Sequence, residues 1–216
     1  MKAGRTAAAG ALLLLLAVHA NAQPVPPASI PSDATAHEWA FSLTGVGNFV
    51  PQDVDYGYGT FTADRSALHL EARYNYEAIE TGSLWFGANF EFGKTVTFAV
   101  TPMLGGVFGR TNGIAPGYHL TVGWWKLELY SEGEYFVATD RGEPDYFYNW
   151  NELTISPLEW LRAGLVSQRT RVYQTGLDVQ RGFLVGGTWK SWTLTVYVFN
   201  AGWTDPTTVV SLSWEF

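Results

Sequence analysis

The stretch from Thr207 to Phe216, TTVVSLSWEF, decides the fold. Val210, Leu212, Trp214 and Phe216 recur at every second position, with Ser211, Ser213 and Glu215 between them. In an extended chain that spacing puts the first set on one face of a strand and the second on the other. The pattern spreads back through the chain. From His37 onward almost every segment alternates at period two, and no window of eleven or more residues carries a helical stripe. The expected class is all-β.

Turn-forming residues divide this region in two ways. Short connections fall at Ala63-Asp64-Arg65, Gly93-Lys94, Lys126, Ser156 to Glu159 and Lys190-Ser191, about 32 residues apart. Longer ones, rich in Gly, Pro, Asp and Asn, fall at Pro51 to Asp55, Ala78 to Gly82, Gly109 to Gly117, Thr139 to Asp145, Gln174 to Asp178 and Ala201 to Pro206. This punctuation predicts twelve strands, near 37–49, 56–63, 66–77, 83–92, 95–108, 117–125, 127–138, 146–155, 160–173, 179–189, 192–200 and 207–216. An even count brings both ends of the sheet to one side.

Alternation alone does not say which face is inside, because a soluble barrel or sandwich alternates too. The aromatic residues discriminate. Trp124, Trp125, Trp160, Trp189, Trp192 and Trp214, with Phe90, Phe92 and Phe216, sit near short turns or the C-terminus; Tyr74, Tyr76, Tyr118 and Tyr135 sit near the longer loops. Two bands of rings at strand ends are what a membrane interface selects. Beyond the N-terminal segment the lysines are Lys94, Lys126 and Lys190, all in short turns beside aromatics, where they can reach toward headgroups. A terminal strand of this kind, ending on a bare Phe, resembles the C-terminal strand of bacterial outer-membrane β-barrels. The resemblance implies a closed antiparallel up-and-down transmembrane barrel in the outer membrane of a Gram-negative cell, with tight periplasmic turns and longer external loops. It also implies that Phe216 and Trp214 form an assembly signal read by the barrel-assembly machinery.

Residues 1–22 carry Lys2 and Arg5, an apolar run and Ala20-Asn21-Ala22, which reads as a secretory signal peptide cleaved after Ala22. The run is shorter than the roughly 20 residues a membrane helix needs. Residues 23–36 hold four prolines and are expected to form an extended periplasmic leader before a barrel domain over 37–216. Loss of Lys2 and Arg5 leaves 11 of the 13 basic residues against 20 acidic ones, a net charge of −9. That balance excludes nucleic acid as a partner; outer-membrane lipid and lipopolysaccharide are the expected surroundings. Oligomeric state is not readable. The chain has no cysteine, so thiolate sites are excluded. No cofactor motif and no metal-ligand spacing stands out.

Parity then assigns a polar lumen: Glu71, Arg73, Glu91, Glu128, Glu132, Glu134, Glu152 and Arg162 point inward, with an acidic column on the seventh strand. Two readings follow. The column is either the wall of a small cation-favouring channel, or part of an ion-paired filling in which Glu152 meets Arg162 and Glu71 meets Arg73. The face of Tyr148, Trp150 and Glu152 requires rings in the lumen or a bulge near Asn149 and Asn151. Arg169 and Arg171 fall on the outer rim unless a bulge turns them inward. A lipid hydrolase would need a serine bonded to a histidine near the outer leaflet. His119, expected near that rim and pointing inward, lies in no such motif, so the sequence points to a transport barrel with no enzymatic activity and no catalytic residues.

Overall fold

A computed structural model describes residues 38–51, 54–172, 178–202 and 206–216. The described residues form thirteen strands: β1 (Ala40–Phe49), β2 (Tyr56–Arg65), β3 (Leu68–Tyr74), β4 (Thr81–Ala88), β5 (Phe90–Gly93), β6 (Val96–Gly109), β7 (Gly113–Trp124), β8 (Leu127–Ala138), β9 (Tyr146–Leu158), β10 (Leu161–Val172), β11 (Asp178–Trp189), β12 (Trp192–Phe199) and β13 (Thr207–Glu215). Each pairs antiparallel with its sequence neighbours, except that β4 and β5 do not pair with each other. β4 and β5 pair with β6 along one line, so they are a single barrel strand broken at Asn89. The wall therefore has twelve strands.

The seam is β1 against β13, with Ser42 opposite Glu215 and Phe49 opposite Thr208. Phe216 extends it: its N–H donates to Phe41 O and its carbonyl accepts from Phe41 N–H, both at 2.9 Å. Its ring stacks on Phe41 and Trp214, and Trp214 stacks on Trp192. The terminal aromatics thus close the barrel as well as facing outward.

Burial is inverted relative to a soluble barrel. Leu84, Phe86, Leu104, Leu165, Phe183 and Val185 stand exposed on the outer face, while Thr44, Thr60, Ser83, Thr154, Thr195 and Ser211 are buried inside. Such an outer face is stable only against hydrocarbon. Trp124, Trp125, Trp160, Trp189, Phe90, Phe92 and Phe216 form an exposed girdle at the turn end. Lys126 and Lys190 lie over Trp125 and Trp189. At the loop end Phe49, Tyr74, Phe108 and Tyr135 form the second girdle. Two expected members are elsewhere: Tyr76 is 1% exposed inside the lumen, and Tyr118 lies part-way along its strand, bonded through its hydroxyl to Ser131 and Asn149.

The turn at Ala63-Asp64-Arg65 is displaced. Those residues stay in β2, and Ser66 and Ala67 make the turn, Ser66 taking the positive φ that a tight hairpin asks of its first residue. The loop expected at Gly109 to Gly117 shrinks to residues 110–112, because β7 begins at Gly113; Pro116 has no N–H but is tolerated within the pairing of β6 and β7. No register shift occurs at Asn149 or Asn151. The irregularity lies between Leu161 and Ala163, and the rings of Tyr148 and Trp150 do enter the lumen. Arg169 is exposed outward near the loop end; the side chain of Arg171 lies outside the described residues. The segments 1–22 and 23–36, with His37, also lie outside them.

Candidate functional site: the lumen

The lumen has two halves. Toward the loop end its inward positions carry large rings, and these pack on one another. Trp150 meets Tyr197 and Phe199 edge-on at 5.3 Å, Tyr58 meets Tyr76 at 5.4 Å, and Phe136 stacks on Tyr146 at 4.8 Å. Trp85 lies flat against the wall because its neighbour is Gly105, where a Cβ would come within 2.5 Å of the indole. Tyr76 reaches the lumen from the turn after β3. Asn75 takes a positive φ there, and its side-chain Oδ1 accepts from Glu80 N–H, folding the turn over the barrel mouth.

Arg73 is the hub of the middle layer. Its guanidinium sits between the rings of Tyr76 and Trp85, 4.2 Å from each centroid. Nε donates to Glu71 Oε1 at 2.7 Å and Nη1 to Glu134 Oε2 at 3.0 Å, with Glu77 Oε1 3.7 Å away. Glu77, in the turn, accepts from Ser83 and Trp85, and burial pushes its carboxyl above the ordinary range. Glu132 accepts from the Tyr76 and Tyr130 hydroxyls at 2.6 and 2.7 Å. Glu152 accepts from Arg162, Tyr197 and Trp150. Buried charge is tolerable when it is paired and hydrogen-bonded in this way.

Toward the turn end the inward side chains are small, and they surround a cavity of about 450 Å³. Thr62, Ala99, Thr101, Thr121, Thr193 and Ser213 leave the space; Asp64, Glu91, Glu128, Glu159 and Glu215 supply negative charge against Arg162 and Lys190. His69 and His119 mark its inner end.

All eight lumen residues anticipated from parity lie inside the barrel. Glu91, Glu128 and Arg162 line the cavity, whereas Glu71, Arg73, Glu132, Glu134 and Glu152 are buried in the packed layers. The acidic column of β8 is therefore not one uniform wall. Glu128 borders open space, Glu132 is held by two tyrosines and Glu134 is clamped by Arg73 from across the lumen. His119 is not at the outer rim: it lies midway along β7 with Glu71 and Glu132 within 4 Å of Nε2. Among the described residues its Nε2 faces the carboxylates of Glu71 and Glu132, and its ring meets those of His69 and Tyr130. Sequence reasoning missed Asp64, Tyr76, Trp85 and Tyr130 as site residues. Parity does point Trp85 and Tyr130 inward, as the structure has them, without marking them as site residues; only the turn geometry places Tyr76.

No protein-family model matches the sequence, and no curated protein matches it. Solved structures do. KdgM porin superposes with a TM-score of 0.60 at 13% identity, covering 81% of this chain and 99% of that one. KdgM porin in complex with disordered oligogalacturonate gives 0.60 at 12% identity, again over 81% and 99%. Pseudomonas aeruginosa OccK5 (OpdH) gives 0.45 at 6%, over 82% and 67%. A closed twelve-strand wall, an apolar belt between two aromatic girdles and this likeness agree: the chain is a bacterial outer-membrane β-barrel with the fold of the porins.

Proposed function

We propose that the protein is a small porin-like channel that favours small cations. The observation that carries this reading is the cavity of about 450 Å³ at the turn end, where five carboxylates face two basic groups. A polar cavity lined with one excess sign raises the local concentration of the opposite ion. By the usual orientation of outer-membrane barrels the turn end faces the periplasm, so this cavity is a periplasmic vestibule. It narrows onto the layer of Arg73, Glu132, Glu134, Tyr76 and Tyr148, which would act as the selectivity constriction. The charge also bears on the solute. The KdgM porin is known in complex with oligogalacturonate, a polyanion; an acidic vestibule suits the opposite sign and argues against that solute here.

A second reading has an observation of its own. Trp150, Tyr197 and Phe199 are all 0% exposed, as in a barrel plugged by its own side chains. Planar-bilayer recording with the purified protein decides between them. A channel predicts discrete conductance steps and, in a salt gradient, a reversal potential of cationic sign that grows as salt is lowered. Silence across the accessible voltage range would leave the plugged barrel, and an anionic reversal potential would remove the role given to the vestibule carboxylates.

A further inference from the structure

At the floor of the vestibule four side chains from three strands converge: His69 and Glu71 of β3, His119 of β7 and Glu132 of β8. His69 Nε2 lies 3.2 Å from Glu71 Oε2, and His119 Nε2 lies 3.9 Å from Glu71 Oε2 and 3.7 Å from Glu132 Oε2. Among the described residues, His69, Glu71 and His119 can offer ligand atoms within 4.8 Å of one another. Four ligands around a tetrahedral ion at about 2.0–2.1 Å would stand about 3.3 Å apart. The 3.7 and 3.9 Å separations would close by about 0.4–0.6 Å, and the widest spread within His69, Glu71 and His119, up to 4.8 Å, by up to about 1.5 Å, within the reach of side-chain torsions.

Three further features point to a bound cation. His119 Nε2 is buried with no hydrogen-bond partner, facing two carboxylates. The outer groups also have the form of a metal site's support, in which each ligand is oriented by a second group. His69 Nδ1 bonds Asp64 Oδ1 at 2.8 Å, which directs Nε2 inward; Asp64 is itself held by Asn89 Nδ2 and Asn89 by Thr101. Arg73 Nε fixes the far oxygen of Glu71, and the Tyr76 hydroxyl fixes the far oxygen of Glu132, whose Oε2 also accepts from Tyr130. Finally, among the described residues the carboxylates of Glu71, Glu77, Glu132, Glu134 and Glu152 are buried around two guanidiniums, Arg73 and Arg162. That imbalance favours uptake of positive charge.

We propose that His69, Glu71, His119 and Glu132 bind one first-row transition-metal dication of the zinc class. The imidazole and carboxylate donor set suits zinc, copper or nickel better than calcium or magnesium, which prefer oxygen alone. The ion would take the place of the proton between His69 Nε2 and Glu71 Oε2, and would tie β3 to β7 and β8 across the lumen. The vestibule, which reaches both histidines, is its route of entry. The spacing along the sequence shows nothing of this, because His69, His119 and Glu132 come together only when the barrel closes.

Untagged, folded protein in detergent should bind one zinc per barrel in calorimetric titration, with calcium and magnesium failing to compete. His69→Ala and His119→Ala should each weaken zinc binding at least tenfold. Asp64→Asn should weaken it by about 10–100-fold, the usual effect of losing an outer-shell partner. Glu143→Gln, exposed in the loop between β8 and β9, should leave it unchanged. Should the histidine variants fail to fold, X-ray absorption at the zinc edge of the wild-type protein remains. Scattering from two imidazoles supports the site. An all-oxygen shell, no saturable zinc binding, or undiminished binding by a folded His69→Ala/His119→Ala double variant would overturn it.

Discussion

The two halves of the lumen are made by the same strands at the same alternation, and they differ first in side-chain volume. Strand number and stagger set the barrel's width along its whole length. Inward threonines, serines and an alanine at the turn end therefore leave about 450 Å³ open, while Tyr58, Tyr146, Tyr148, Trp150, Tyr197 and Phe199 fill the equivalent space at the loop end. Polar character does not separate them, since carboxylates occur in both. Pairing sets Glu128 apart, although Asp64 of the open half is held by His69 and Asn89. Carboxylates in the filled half are held by Arg73, Arg162, tyrosines and Trp150, whereas Glu128 of the open half borders the cavity. In such a barrel, bore is a property of layers, not of the wall as a whole.

Breaking the filled half at its hub should have the largest effect. Arg73→Ala leaves Glu71 and Glu134 buried without their cation, and removing one partner of a buried ion pair costs about 3–5 kcal/mol. The variant should lose its folded, compact form in detergent at a markedly lower temperature than the wild type. Arg73→Lys should fall between them, because an ammonium keeps the charge but not the fork that spans two carboxylates. An unchanged midpoint for Arg73→Ala would mean that the layer is held by its rings and not by its charges.

Removing a ring should turn the filled half into something like the open one. Trp150 is wholly buried and touches both Tyr197 and Phe199, so Trp150→Ala should cost about 3–5 kcal/mol as a large-to-small core change. The cavity it leaves lies in the lumen. Unitary conductance should rise in the same variant that loses stability, a combination that a purely structural core residue would not show. A destabilised variant with wild-type conductance would place the limiting constriction elsewhere.

How much of this was legible in the sequence follows from how local each feature is. The strand over 127–138 was read to the residue, because Leu127, Leu129 and Tyr135 against Glu128, Glu132 and Glu134 is a pattern within one strand. The same parity put Glu71, Arg73, Glu152 and Arg162 inside, and the Glu152–Arg162 pair lies on adjacent strands, although Glu152 stands opposite Val166 and the long arginine side chain spans the four-residue offset. What crosses the lumen was not legible. Arg73 reaching Glu134 joins β3 to β8, which are not neighbours in the wall. Tyr76 was misread for a related reason: it lies past the end of β3, where parity lapses and the turn at Asn75 decides its direction. His119 was placed too near the rim because the loop before β7 was expected to run to Gly117 and in fact ends at residue 112.

The smallest expected effect is also the sharpest test of the contrast between the halves. Glu128 and Glu134 stand on the same face of β8, six residues apart, but only Glu128 borders the cavity; Glu134 has Arg73 at 3.0 Å and the Tyr146 hydroxyl at 3.3 Å. If selectivity arises in the vestibule, Glu128→Gln should move the reversal potential in a salt gradient modestly toward zero. Glu134→Gln removes a charge that Arg73 already offsets, so it should move the potential less while lowering stability more. The Glu128 effect should fade as salt rises, since the screening length falls from about 10 Å at 0.1 M to about 3 Å at 1 M. A larger and salt-insensitive shift from Glu134→Gln would put the selecting step in the packed layer, where a permeating ion has shed its water and bulk screening does not reach.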